Sequence, residues 1–176
     1  MEERKKYEDV KLFCGILYRD ECVFESAAEK LVSGFGSEID LAAGPFDFSF
    51  TDYYRDDMGE NLKRRFLSFE KPVSAEKSYA WKIITNGIEK EFYTDGRHPR
   101  RVNLDPGYLN LSRVTLFSAK DFYHRIYLGK GIFAEVTLYF EKNSFMFLPW
   151  TYPDYKSEQY LDFFRNMRDI YKGQRK

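Results

Sequence analysis

The sequence predicts a single α+β domain, an antiparallel-rich sheet packed on helices, in a ferredoxin-like βαββαβ order extended by a β-hairpin, a further strand and a C-terminal helix. Three observations carry that expectation. Apolar residues alternate with period two in some segments and recur every three to four residues in others, the signatures of half-buried strands and amphipathic helices. The order of the segments is strand, helix, strand, strand, helix, strand, which is the split βαβ order. Finally, 176 residues with 19% aromatic content exclude disorder and point to one core built on Phe and Tyr.

Val10 to Tyr18 is almost continuously apolar and reads as a central strand covered on both faces. Val23, Ala27, Leu31 and Phe35 then repeat at helical spacing, with Gly34 or Gly36 available as the left-handed C-cap. From Ile39 the pattern alternates, and Phe46, Phe48 and Phe50 mark the buried face of a second strand. Leu62 to Phe69 reads as a third strand, and Ser74 to Tyr93 as the second helix, with Ala80, Ile84, Ile88 and Phe92 in one row and Lys82, Asn86 and Glu89 opposite. Val102 to Leu104 begins a strand that Asp105-Pro106-Gly107-Tyr108 ends as a type II turn, because Pro presets φ and Gly accepts positive φ. Arg113 to Phe117 follows. His124 to Leu128 and Ile132 to Glu141 form a hairpin. Burial favours the register in which Ile126 faces Ala134, and this predicts an Arg125–Glu135 cross-strand pair with His124 at the end of an apolar face. Phe145 to Trp150 and a helix over about Lys156 to Lys172 complete the domain, which is expected over 10–172 after a charged tail at 1–9.

Lys+Arg and Asp+Glu both number 28, a balance that makes nucleic acid an unlikely partner, since that affinity rests on excess cationic charge. The longest apolar run, Leu12 to Tyr18, is far short of the roughly 20 residues of a membrane helix. No secretory signal is read in Met1 to Lys11, so the expected location is cytoplasmic. Cys14 and Cys22 form no metal-spaced pair and are expected to be structural thiols.

Candidate site residues come from parity and clustering. Two places beyond Phe50, Asp52 is either a carboxylate at the end of the buried face, needing a ligand or metal, or a turn cap past the strand's end. Asp105 is either a turn residue or, with Asn103 two residues upstream, part of a polar strand face. Lys120, His124 and Arg125 lie within six residues and, with Arg101 and Arg65, could converge on a phosphate; equally, they could pair with Asp52, Asp105, Glu135 and Asp154. His98, in a polar loop, reads as solvated. If a reaction occurs, His124 is the candidate acid or base. A metal site could be assembled from Asp52, Asp105, His124 and Glu135, but that spacing is long-range and non-specific, and nothing in the sequence names a cofactor. No phosphate-loop, dinucleotide or nucleophile-elbow motif is present.

Six strings together, Phe50-Thr51-Asp52-Tyr53-Tyr54, Phe66-Leu67-Ser68-Phe69-Glu70, Asn103-Leu104-Asp105-Pro106-Gly107-Tyr108, His124-Arg125-Ile126-Tyr127-Leu128, Ala134-Glu135-Val136-Thr137-Leu138 and Trp150-Thr151-Tyr152-Pro153-Asp154-Tyr155, resemble an uncharacterised prokaryotic domain-of-unknown-function family. Its members are often labelled GTP-binding protein. The resemblance runs from about Val10 to Tyr171 and implies a stand-alone single-domain protein; it carries over no catalytic residue. Ser118-Ala119-Lys120 is superficially similar to a guanine-contacting loop of small GTPases, but without a phosphate loop any nucleotide would be held by Arg and Lys side chains with its base stacked on Tyr.

Two functional expectations follow. The first is a protein that binds, or hydrolyses, a small phosphorylated ligand such as a nucleotide, through the Lys120, His124 and Arg125 cluster, Arg101 and Asn103, with Asp52, Asp105 and Glu135 nearby. The alternative is a non-enzymatic interaction or homodimerisation module using exposed aromatic residues. RNA recognition through sheet aromatics is the least favoured reading.

Overall fold

A computed structural model describes residues 7–175, so most of the expected tail at 1–9 lies outside the described residues. The long apolar run becomes β1 (Lys11–Tyr18), all eight residues of which are buried. A backbone with side chains buried on both faces belongs at a sheet centre, and β1 pairs with β3 (Lys63–Phe69) on one side and β4 (Val102–Leu109) on the other. Helix α1 (Glu21–Phe35) ends where Gly36, at φ 63°, donates its N–H to the Val32 carbonyl. The remaining elements are β2 (Ile39–Asp47), a short α2 (Arg55–Met58), α3 (Tyr79–Glu91), β5 (Arg113–Ser118), β6 (Ile126–Gly129), β7 (Ile132–Glu141), β8 (Ser144–Phe147) and α4 (Glu158–Gln174).

All strand pairs are antiparallel, in the order β2-β3-β1-β4-β5-β7-β6 with β8 also on β7, and the sheet does not close into a barrel. The fold is therefore α+β with helices on both faces. Leu12, Cys14, Ile16 and Tyr18 point to α1 and α3, while Phe13 and Phe66 meet Tyr160, Phe163, Phe164 and Met167 of α4. That second layer is rich in aromatic residues, with Phe66 and Phe163 stacked at 5.1 Å, whereas the layer under α1 and α3 is mainly aliphatic. Cys14 is buried as expected and Cys22 is exposed. Among the described residues, no helix is long and apolar enough to cross a membrane.

Two sequence expectations are corrected. Strand β2 stops at Asp47, so Phe48 and Phe50 lie beyond it and, of the two readings of Asp52, the turn past the strand's end holds; its side chain is 85% exposed and 3.6 Å from Arg55. Asp105-Pro106-Gly107 is not a turn, because β4 runs straight through it. What Pro106 ends is the pairing with β5, which covers only Gly107, Tyr108 and Leu109. Leu104 uses its N–H and C=O on the side away from β1, and Pro106, of the same parity, has no N–H to offer there. The sheet thus opens between the first half of β4 and the last residues of β5. The hairpin register has Ile126 opposite Ala134 as expected, but its apolar face is not fully buried, since Ile126 is 71% exposed on the edge strand.

Candidate functional site

The opening in the sheet is one wall of a cavity of about 620 Å³. Side chains of α3 occupy the place of the missing strand: Lys82 Nζ donates to the Leu104 carbonyl at 2.6 Å, and the Leu104 N–H donates to Glu89 Oε1 at 2.7 Å. Lys82, Asn86 and Glu89 thus form a polar helical row turned toward the cavity rather than toward bulk water.

A continuous polar network runs from this row along the floor. Lys82 Nζ lies 3.6 Å from Glu89, whose Oε2 accepts from Arg100 at 3.0 Å. Arg100 donates to Asn103, and Asn103 Nδ2 donates to Asp105 Oδ2 at 2.7 Å. Asp105 also takes Arg64 Nη1 at 2.7 Å, and Arg64 Nη2 is 3.9 Å from Asp154. Arg64 comes from β3 and Asp105 from β4, with β1 between them, so the guanidinium must cross a strand. It does so beside Gly15, the residue opposite Asp105, where a Cβ would stand 3.2 Å from Arg64 Nη1.

Burial sets the charge states here. Desolvation opposes the charge on Arg64, but Asp105 above all, with Asp154, reverses the effect and raises its pKa. Burial would also raise the Asp105 carboxyl, yet Arg64 and Lys82 more than offset it and hold it below the usual carboxylate range. At Asp154 burial wins, and its carboxyl is raised despite Arg64. Burial likewise pushes up the phenols of Tyr54 and Tyr155, keeping both protonated and able to donate.

A depressed carboxylate stabilises the fold at pH above its unfolded value, about 4, and loses that contribution as pH falls through the lower folded value. The raised Asp154 acts oppositely, weakening the fold above about pH 4. Asp105→Asn should therefore flatten the acid-side loss of unfolding free energy between about pH 4 and 2, as followed by denaturant titration at each pH. An unchanged acid limb in the variant would count against the Arg64–Asp105 coupling.

The opposite wall comes from β5, the following loop and β7. Glu135 Oε2 accepts from Arg125 Nε at 2.8 Å and from His124 Nε2 at 2.6 Å, which supplies the expected Arg125–Glu135 pair. Arg125 also donates to Ser118 Oγ, the Lys120 carbonyl and Tyr152 OH. His124 stacks on Trp150 with ring centres 4.9 Å apart and planes within 13°, and Trp150 Nε1 is anchored on the Val136 carbonyl. Phe48, Phe50, Tyr53 and Tyr54, from the segment between β2 and β3, make an aromatic side. Lys120 extends across to Tyr53, hydrogen-bonding its hydroxyl with Nζ 4.3 Å from the ring centre.

Of the residues selected from the sequence, Asn103, Asp105, Lys120, Arg125 and Glu135 line this cavity. Arg101, Asp52 and His124 do not. Arg101 pairs with Asp20 at 2.6 Å outside it, Asp52 is on the exposed turn, and His124 sits behind Glu135 with its side chain 7% exposed. Arg65 points to the other face and pairs with Glu21 at 2.7 Å. Arg64, with the parity of Phe66, takes the place expected of Arg65. Among the described residues, no group of three or more His, Cys, Asp or Glu side chains is arranged to hold a metal ion. Arg64, Arg100, Lys82 and Glu89 were not selected from the sequence. Parity with Phe66 could have found Arg64, and the i, i+4, i+7 spacing of Lys82, Asn86 and Glu89 could have flagged the α3 row.

A family model described as Domain of unknown function (DUF4416) matches residues 8–171. No curated protein matches the chain.

Proposed function

The chain belongs to the DUF4416 family, a membership that specifies no chemistry, and from the geometry we propose that it binds a small phosphorylated ligand, such as a nucleotide, in the cavity at the opening of the sheet. One observation carries the reading: five cationic side chains, Arg64, Lys82, Arg100, Lys120 and Arg125, line a single cavity that also has an aromatic side. Multi-donor cations suit phosphate oxygens, and Tyr or Phe rings suit a planar base. The volume of about 620 Å³ is in the range that encloses a ligand of that size. His124 acts here through Glu135 and Arg125, holding the carboxylate in place, rather than on the ligand itself.

Thermal unfolding with nucleotides and simple phosphates, each with and without magnesium, tests the proposal. A ligand at about 100 times its dissociation constant adds about 2.7 kcal/mol, which for a domain of this size means a rise of roughly 5 to 10 °C. The rise should shrink in Lys120→Ala, and phosphate release in the same samples reads out hydrolysis. A flat panel at millimolar ligand overturns the proposal.

A second reading is favoured by a different surface. Phe122, Tyr123, Ile126 and Tyr127, on or next to edge strand β6, are 57%, 80%, 71% and 60% exposed. Apolar side chains on an open strand edge suit pairing with another chain. Sedimentation that stays monomeric over a wide concentration range would count against the homodimer form of this reading.

A further inference from the structure

We infer that the occupant of the cavity carries one anionic group and a planar, hydrogen-bonding ring, the chemistry of a nucleoside monophosphate and not of a polyphosphate. The inference rests on the ligand reading above and narrows it through the cavity's own charge pairing. Five cations line the cavity, but so do four carboxylates, Glu89, Asp105, Glu135 and Asp154. Arg64 is within 4.0 Å of Asp105 and Asp154, Lys82 and Arg100 are that close to Glu89, and Arg125 is that close to Glu135. Among the described residues, Lys120 is the cavity's one cation with no carboxylate partner.

That leaves about one uncompensated positive charge for a ligand to meet. A triphosphate would add two or three further negative charges near carboxylates whose counter-ions are already committed, and like charges repel. A single phosphate monoester at Lys120, with about 1.5 to 2 negative charges at pH 7, exceeds that one positive charge far less. Lys120 also fixes where the rest of the ligand lies, because its ammonium is hydrogen-bonded to the Tyr53 hydroxyl. An anion drawn to Lys120 brings the attached ring to the Tyr53 and Phe50 side, where stacking is available.

The deeper wall asks for hydrogen bonds rather than charge. Both donors on Glu135 use Oε2, and Oε1 is buried with no partner. The Tyr155 hydroxyl, also on the lining, is buried and unpartnered too. A buried carboxylate oxygen without a donor is costly, and an N–H or O–H on the ligand's ring portion satisfies it. The base and sugar of a mononucleotide carry such donors.

Calorimetric titration of the whole chain with the mono- and triphosphates of adenosine, guanosine, cytidine and uridine, the parent nucleosides and inorganic phosphate tests this, with and without magnesium. At least one monophosphate is expected to bind more tightly than its own triphosphate and its own nucleoside, by about tenfold or more in each case. Lys120→Ala, at an exposed position, should bring the monophosphate down to the affinity of the nucleoside measured on the same variant. A triphosphate that binds as tightly as the monophosphate, or more so, overturns this inference and leaves the phosphorylated-ligand proposal standing. If no phosphorylated compound binds, both fall.

Discussion

Arg64→Ala should lower the unfolding free energy by about 3–5 kcal/mol, a fall in Tm of roughly 6 to 20 °C for a domain of this size. Arg64 is 3% exposed, and its loss leaves the carboxylates of Asp105 and Asp154 facing each other's field without the guanidinium. The cost is that of orphaning buried charge and exceeds the net contribution of the pair when intact. A companion variant makes the argument testable: Arg64→Met combined with Asp105→Asn removes charge from both partners and should recover a large part of the loss. The pH dependence carries a second signature. Without Arg64 the largest influence holding the Asp105 carboxyl down is gone, so the single variant should close its gap to the wild type as pH falls through and below about 4. Denaturant unfolding at pH 7 and pH 3 measures both effects. A loss under about 1 kcal/mol at pH 7 would place the pair in the class of solvated surface bridges and sink the account.

Gly107→Ala is expected to cost about 3 kcal/mol or more, at the upper end for overpacking. A Cβ at this position would stand 2.4 Å from the Thr115 carbonyl oxygen and 2.6 Å from Cζ of Phe13. The first contact is backbone of β5, which can yield only if the strands separate, and Gly107 opposite Leu116 is the last pair before the sheet opens. Relief would therefore propagate along the β4–β5 ladder. Hydrogen exchange should show lost protection at Tyr108 and Leu109 before the far side of the sheet. Gly87, in the middle of α3 with nothing within 4 Å of the added carbon, is the control; Gly87→Ala should stabilise by roughly 0.5–1 kcal/mol through helix propensity. Were Gly107 the third residue of a type II turn, as the Asp-Pro-Gly string suggests, alanine would cost only the strain of a positive φ, about 1–2 kcal/mol, and the measured cost separates the two structures.

How far the site was readable depends on the element. On strands, parity is a strong guide. The Arg125–Glu135 pair follows from the hairpin register, and Asn103 and Asp105 share a face because they are two residues apart. The same rule assigns Arg64 to the Phe66 face and Arg65 to the opposite one, where Arg65 lies 4.4 Å over the Phe24 ring. Loops carry no such rule. Arg100 and Arg101 are adjacent in a segment without period, and only the folded chain sends one to Glu89 and Asn103 and the other to Asp20. The α3 row was legible as a polar face, but a polar face ordinarily meets water. Here it meets the open edge of β4, which no pattern within the helix can announce.

The sequence by itself determined the positions of the main strands and helices, an aromatic share of the core and the antiparallel α+β class. Those follow from local periodicity and from the removal of apolar area from water, both of which act residue by residue. Tertiary structure alone decided where β4 parts from β5, which carboxylate each cation meets, and that Lys120 is left over. Each of those outcomes depends on partners distant along the chain, such as Arg64 and Asp105, 41 residues apart. The energy of a buried charge is set by what folding brings beside it, and not by its neighbours in sequence.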